Sequence, residues 1–171
     1  VQPQWIEAFS QSYVATTDLS KRMAFVIAAA RQNIVEKTGG PFAAAVFESA
    51  SGTLVSLAVN VVTTQRLSIL HAEMVAITIA QKKLDTYDLG GKELPSHDLF
   101  ASTEPCAMCF GAIPWSGVRR VVTGAQDSDA RKIGFDEGPK PGDWAASLRE
   151  RGIEVMTDVE RQQAADVLDF Y

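Results

Sequence analysis

Cysteine is scarce in this chain: Cys106 and Cys109, three positions apart, are the only two in 171 residues. That excludes a small secreted scaffold held together by disulfides. Histidine is equally scarce, at His71 and His97. No stretch approaches the roughly 20 apolar residues that cross a bilayer. The first twenty residues carry no basic end followed by an apolar run, so neither a membrane span nor a signal peptide is expected. Basic charge is not in surplus either: 16 Lys and Arg stand against 21 Asp and Glu, a net charge of -5. A protein whose partner is a long polyanion needs clustered Lys and Arg to neutralise phosphates, so a small neutral substrate fits better. No repeat, low-complexity tract or Gly/Ser-rich linker divides the chain. The hydrophobic content of 46% and charged content of 22% are those of an ordinary globular domain. A single cytoplasmic domain over residues 1–171 is expected.

Periodicity divides that domain into alternating elements. Residues 1–19 read as an N-terminal extension. From Ser20 or Lys21 onward, Met23, Val26, Ile27, Ala30 and Ile34 recur at helical spacing, and Gly39-Gly40 with Pro41 just beyond predicts the stop. Residues 42–47 and 54–59 read as two strands of a hairpin turned by Ser49-Ala50-Ser51-Gly52. A helix over 71–84 and a strand over 98–102 follow. Pro105 is suited to the first position of a third helix, which Pro114 and Gly117 end near Trp115. Then come a strand over 119–123, a long Gly- and Pro-rich loop, a helix over 143–151, a strand over 153–156, and a last helix capped by Asp158. After the hairpin, alternation of strand and helix implies parallel pairing with helices on both faces. The expected fold is a three-layer α/β/α sandwich on a mixed five-stranded sheet.

Two fragments carry chemistry, His71-Ala72-Glu73 and Pro105-Cys106-Ala107-Met108-Cys109. Cys106 and Cys109 at i and i+3 share a helical face and sit in a first turn, where the helix dipole favours thiolates. Two thiolates and an imidazole make three ligands for tetrahedral zinc, and catalytic zinc keeps its fourth position for water. Glu73, two residues beyond His71, does not share its helix face. It is badly placed as a further ligand, but it can flank the bound water and take and return a proton. A redox dithiol in a thioredoxin-like fold would leave the hairpin and the His-x-Glu idle. A structural zinc site would need a fourth protein ligand, from His97 or a carboxylate. His97, in the loop Pro95-Ser96-His97-Asp98, carries no chemical signal of its own.

The paired motifs, with a strand between them, resemble the zinc-dependent cytidine deaminase superfamily. The resemblance implies a cytidine deaminase-like fold and zinc on His71, Cys106 and Cys109. It also implies zinc-bound hydroxide attacking an amino-bearing ring carbon, Glu73 moving protons, and ammonia leaving. Four further segments are similar to the bacterial guanine deaminase branch: Gly39-Gly40-Pro41-Phe42, Asn60 with Val62-Thr63-Thr64, Ile113-Pro114-Trp115, and Gly134-Phe135-Asp136-Glu137. That branch implies conversion of guanine to xanthine, with Glu137 as a second proton-shuttling carboxylate where some members have Asp. Deamination at C2 needs a proton on a ring nitrogen and protons on the departing amine, work that two carboxylates can divide. The plainer reading of Glu137 is an acid on a solvated loop.

Asn60 offers a donor and an acceptor to the mixed edge of a purine, or else closes a strand-end turn. Phe42, Phe135 and Trp115 suit a sandwich around a flat ring, although Phe42 and Trp115 also read as core. The resemblance implies backbone contacts to the base from Ala72. It further implies a homodimer that exchanges residues 158–171, with Tyr171 covering the partner's site. Two alternatives remain open. A tRNA adenosine deaminase shares both motifs but needs a basic surface for an RNA stem-loop, and Lys82-Lys83, Arg119-Arg120 and Arg131-Lys132 read as solvated faces. A non-catalytic zinc-binding interaction module has little use for Glu73. Neither a nucleic acid nor a membrane is expected as partner. An amino-triazine bearing the same amine-carrying carbon is not separated from guanine by these residues.

Overall fold

Helices and strands alternate through the computed structural model, which describes residues 2–171. In chain order they are α1 (Ile6–Gln11), α2 (Leu19–Val35), β1 (Ala43–Glu48), β2 (Leu54–Val59), α3 (Val62–Gln65) and α4 (Ala72–Lys83). There follow β3 (His97–Thr103), α5 (Ala107–Ser116), β4 (Arg120–Ala125), α6 (Asp127–Lys132), α7 (Trp144–Arg149), β5 (Glu154–Met156) and α8 (Arg161–Phe170). The strands form one sheet in the order β2-β1-β3-β4-β5. β1 pairs antiparallel with both β2 and β3, while β3, β4 and β5 run parallel. In this mixed sheet β1 therefore runs opposite to the other four strands.

Strand alternation assigns the two faces. On β1, Ala43, Ala45 and Phe47 pack with Met23, Val26 and Ala30 of α2, whereas Ala44 and Val46 pack with Val75 and Ala76 of α4. Alanines at the centre of the sheet let helices approach closely on both sides. Helix α8 joins α2 on the first face, and Ile113 of α5 and Leu148 of α7 join α4 on the second. The three layers are those expected from the sequence.

Several boundaries differ from expectation for identifiable reasons. Residues 1–19 are not a free extension across the part described: Trp5, Ile6, Phe9 and Tyr13 pack on the α2 face, and the Tyr13 hydroxyl donates to Gly52 O at 2.6 Å. Helix α2 stops before Gly39-Gly40. Asp18 caps its start, and Lys37 in the left-handed region (φ 58°) ends it, with Thr38 N donating to Asn33 O. Gly39 is small for a different reason. A Cβ there would sit 1.8 Å from Asn60 O, so only glycine lets these two loops touch. Pro105 lies outside α5, whose N-cap is Cys106, and Pro114 is held within the helix, which ends at Gly117 (φ 84°). Asp158 does not cap α8; Glu160 precedes that helix while Asp158 accepts from Gln126 Nε2. His97 is not a loop residue but the buried first residue of β3, its Nδ1 3.0 Å from Leu89 O.

At the end of the sheet remote from the cysteines, a buried charge cluster joins α2 to β3. Arg22, fully buried, donates to Asp98 Oδ2 (3.1 Å), Thr16 O and Ser49 O. Asp98 also accepts from Ser49 Oγ and Arg120. Arg120 is thus not simply part of a solvated face. Removing one partner of a buried pair strands the other charge, at a cost of about 3–5 kcal/mol. Asp98→Ala is accordingly expected to lower the melting temperature by roughly 10 °C or more. Calorimetry checks this, and a shift of a degree or two would mean that Arg22 finds other partners.

Candidate active site

The register of β1 brings the chemistry to one end of the sheet. Ala43 pairs with Val59, and Ala44 with Ala101, so the start of β1 lies beside the ends of β2 and β3. Phe42, Asn60 and the Glu104-Pro105-Cys106 turn consequently meet at one rim, the usual place for a site in an α/β sheet. A cavity of about 220 Å³ opens there, lined by Phe42, Asn60, His71, Glu73, Cys106 and Glu137 among others.

His71 is the N-cap residue of α4, and Cys106 occupies the same position on α5, with Cys109 one turn inside. The ring atom His71 Nδ1 lies 3.4 Å from Cys106 Sγ and 3.8 Å from Cys109 Sγ, and all three donor atoms lie within 4.8 Å of one another. Neighbouring ligands of tetrahedral zinc with ordinary Zn–S and Zn–N bonds stand about 3.5–3.8 Å apart, so the spacing suits that ion. At Cys106 the electrostatics suit it too. The Cys106 thiol is drawn down to about 4, chiefly by the hydrogen bond from Cys109 and also by His71. The same bond and burial push Cys109 up, and the bond to Cys106 raises His71.

Two carboxyls stand beside the cluster. Glu73 is buried, and Cys109 Sγ donates to its Oε2 at 3.3 Å; burial raises its pKa above the ordinary carboxyl value. Glu137 comes from the loop after α6 and is 7% exposed rather than solvated. Burial, then the charges of Cys106 and Glu73, push it up to about 7. Its loop is fastened to the cysteine helix. Ala107 N donates to Glu137 O, Lys140 Nζ donates to Pro105 O and pairs with Asp127, and Arg131 donates to Gly138 O. Gly138 (φ 72°) approaches Ala107 so closely that a Cβ would stand 3.1 Å from that side chain.

Glu137→Gln is expected to retain metal and lose about 100-fold in turnover, the scale of one acid–base group. A neutral amide also removes a pH-dependent penalty. Between its ordinary value and about 7, the folded protein holds a proton at Glu137 that the unfolded chain does not. Stability from this group therefore falls as pH rises through that window. The variant should gain melting temperature over wild type at pH 8 and not at pH 4. Equal shifts at both pH values would return Glu137 to the solvent.

The remaining residues divide. Asn60 lines the cavity, with its Oδ1 accepting from Val62 N at 3.2 Å. That bond fixes the amide and leaves Nδ2 without a protein partner among the described residues. Phe42 and Phe135 also line the cavity, but edge to face, with centroids 4.8 Å apart and planes at 77°. No ring fits between them, so they form one wall and not a sandwich. Trp115 is 81% exposed at the far end of α5 and is absent from the cavity, neither stacking partner nor core. The Ala72 side chain is buried behind the site, while its backbone N–H, at the first position of α4, lacks a helical partner. Tyr171 lines the cavity, its ring centroid 5.9 Å from that of Phe135. Sequence reasoning missed Glu104 and Asp136 on the cavity wall and Lys140 behind the loop.

An imidazole and two thiols around one point, flanked by two buried carboxyls in a cavity of an α/β/α sandwich, define a metal-dependent hydrolytic site. The chain belongs to the cytidine and deoxycytidylate deaminase family, whose zinc-binding region matches residues 16–125. Its cofactor is zinc, which His71, Cys106 and Cys109 would hold. Among curated proteins it is 38% identical over 99 residues to a guanine deaminase of Bacillus subtilis, covering 58% of this chain and 59% of that one. Over 77 residues it is 42% identical to a tRNA-specific adenosine deaminase of the same organism, 45% of each chain. The matched stretches thus span only about half the length of these relatives. A solved structure of a guanine deaminase from Nitrosomonas europaea is 43% identical, with a TM-score of 0.95 over 100% of this chain and 93% of that one. A further solved structure, holding 2,6-diaminopurine, is 44% identical with a TM-score of 0.96, over 100% and 90% of the two chains.

Proposed function

We propose that the protein hydrolyses guanine to xanthine and ammonia. The observation that carries this reading is the convergence of Glu73, Glu137 and Asn60 with the ligand cluster in one small cavity. Likeness over the full chain to a guanine deaminase supports it. Zinc at such a site supplies Lewis-acid activation of water near neutral pH. Glu73, at the edge of the cluster, accepts the proton that water gives up and returns it to the ring nitrogen beside C2. Glu137, whose burial raises its carboxyl pKa, can give a proton to the departing amine and recover one from the hydroxyl left on C2. The free Asn60 Nδ2 donates to an acceptor on the base, while Phe42, Phe135 and Tyr171 cover its apolar surface.

An RNA substrate is less well served. The cavity is small, and two of the basic residues available to phosphates are engaged, Arg120 with Asp98 and Arg131 with Asp127. The exposed Trp115, Leu67 and Ile69 support pairing of the domain as a homodimer, which sedimentation reads directly. Two unbridged cysteines kept for metal suit the reducing cytoplasm. No described helix is long and apolar enough to cross a membrane.

The test is ammonia release from the zinc-loaded protein with guanine, adenine, cytosine, cytidine and an RNA stem-loop side by side. Turnover of guanine above the others is expected. Silence on guanine with turnover of RNA would move the protein to the tRNA adenosine deaminases.

A further inference from the structure

Asn60 does not hold its own position. Its backbone carbonyl accepts from Asn33 Nδ2 at 2.9 Å, and the second N–H of that amide donates to Gly40 O at 2.8 Å. Gly40 and Asn60 both line the cavity. Asn33 sits on α2 at 0% exposure, and its Oδ1 accepts from the Thr38 hydroxyl at 2.6 Å. Thr38 Oγ1 in turn accepts from the indole Nε1–H of Trp5 at 3.0 Å. The Thr38 carbonyl accepts from Thr64 Oγ1, which ties in the segment beyond Asn60. A buried amide is costly unless its donors and acceptor are matched, and here both N–H groups and the oxygen are used. Aspartate would put an acceptor against two carbonyls, and leucine would leave both carbonyls unpaired. The close approach of Gly39 to Asn60 O leaves room for no other arrangement.

We infer that Asn33, Thr38 and Trp5 are positioning residues that set the Asn60 side of the cavity, so that the N-terminal segment takes part in selecting the base. The inference rests on the reading of Asn60 as a base contact. It links Trp5, the residue that precedes α1, to substrate recognition through three side chains in series, Trp5, Thr38 and Asn33, the last of them holding the Asn60 carbonyl. The metal cluster lies outside this chain of bonds, which predicts an effect on binding rather than on the chemical step.

The test uses the zinc-loaded full chain with Asn33→Asp, Thr38→Val and Trp5→Phe. For Asn33→Asp, KM for guanine should rise about tenfold or more, with kcat and zinc content near wild type. Thr38→Val and Trp5→Phe each should raise KM a few-fold. Because the bond that Trp5→Phe deletes is one of the two that Thr38→Val deletes, the double variant should be no worse than Thr38→Val alone. Should Asn33→Asp not fold, the two milder variants carry the test. Hydrogen exchange at the Asn60 and Val62 amides reads the loop without any substrate, and it should quicken in all three variants. Unchanged exchange overturns the inference whatever the substrate proves to be. Quickened exchange with unchanged KM, in a protein that turns over guanine, also overturns it. Quickened exchange in the variants, with the wild-type protein silent on guanine, would refute the substrate reading alone.

Discussion

Replacing Glu73 by Gln is expected to lower turnover by about two to four orders of magnitude while zinc content stays at the wild-type level. The substitution is nearly isosteric, so the packing of α4 around the site is kept. Glu73 also lies outside the three-atom ligand cluster, reaching it through Cys109 Sγ at 3.3 Å. What the amide cannot do is take a proton and return it. Burial already raises Glu73 above its ordinary value, so the folded protein pays for that carboxyl in stability at neutral pH. The inactive variant should therefore melt no lower than wild type. Loss of zinc in step with loss of activity would instead make Glu73 a structural residue and favour a non-catalytic zinc module.

Cys109→Ala should abolish both metal binding and turnover. Cys109 is fully buried, and its removal leaves His71 and Cys106, too few donors for a tight zinc site. A ligand that binds only the folded state stabilises it by about 4 kcal/mol at a thousandfold excess over its dissociation constant. Wild type should accordingly melt well above the variant when zinc is present. After chelation the gap should shrink to the cost of one buried sulfur atom, on the order of 1 kcal/mol, since the metal no longer contributes to either. A variant that kept one zinc per chain, measured by elemental analysis, would show that the ligand set is wrong.

Much of this site is legible in sequence because two short motifs compress it. Local spacing puts Cys106 and Cys109 on one helical face, and the resemblance carried by the two motifs implies that His71 joins them. The hairpin and the long helices are legible from period, as Met23, Val26 and Ala30 illustrate. Helices α1, α3 and α6 are four to six residues long, too short for a period to register, and they form because the body of the protein receives them. Nothing in the sequence singles out Arg22, whose partner Asp98 lies 76 positions away. The aromatic sandwich fails because ring orientation is a tertiary property: Phe42 and Phe135 meet edge to face, and Trp115 is turned to solvent. Lys140 and Asn33 are likewise invisible in one dimension, since each acts on backbone carbonyls far along the chain.

The most direct measurement is the rate of xanthine formation from guanine by the purified chain as loaded with zinc, after chelation, and after zinc is restored. The account predicts turnover proportional to bound zinc, lost on chelation and recovered on reloading. Guanine turnover that persists without zinc, or a zinc-replete protein that leaves guanine untouched, would contradict it.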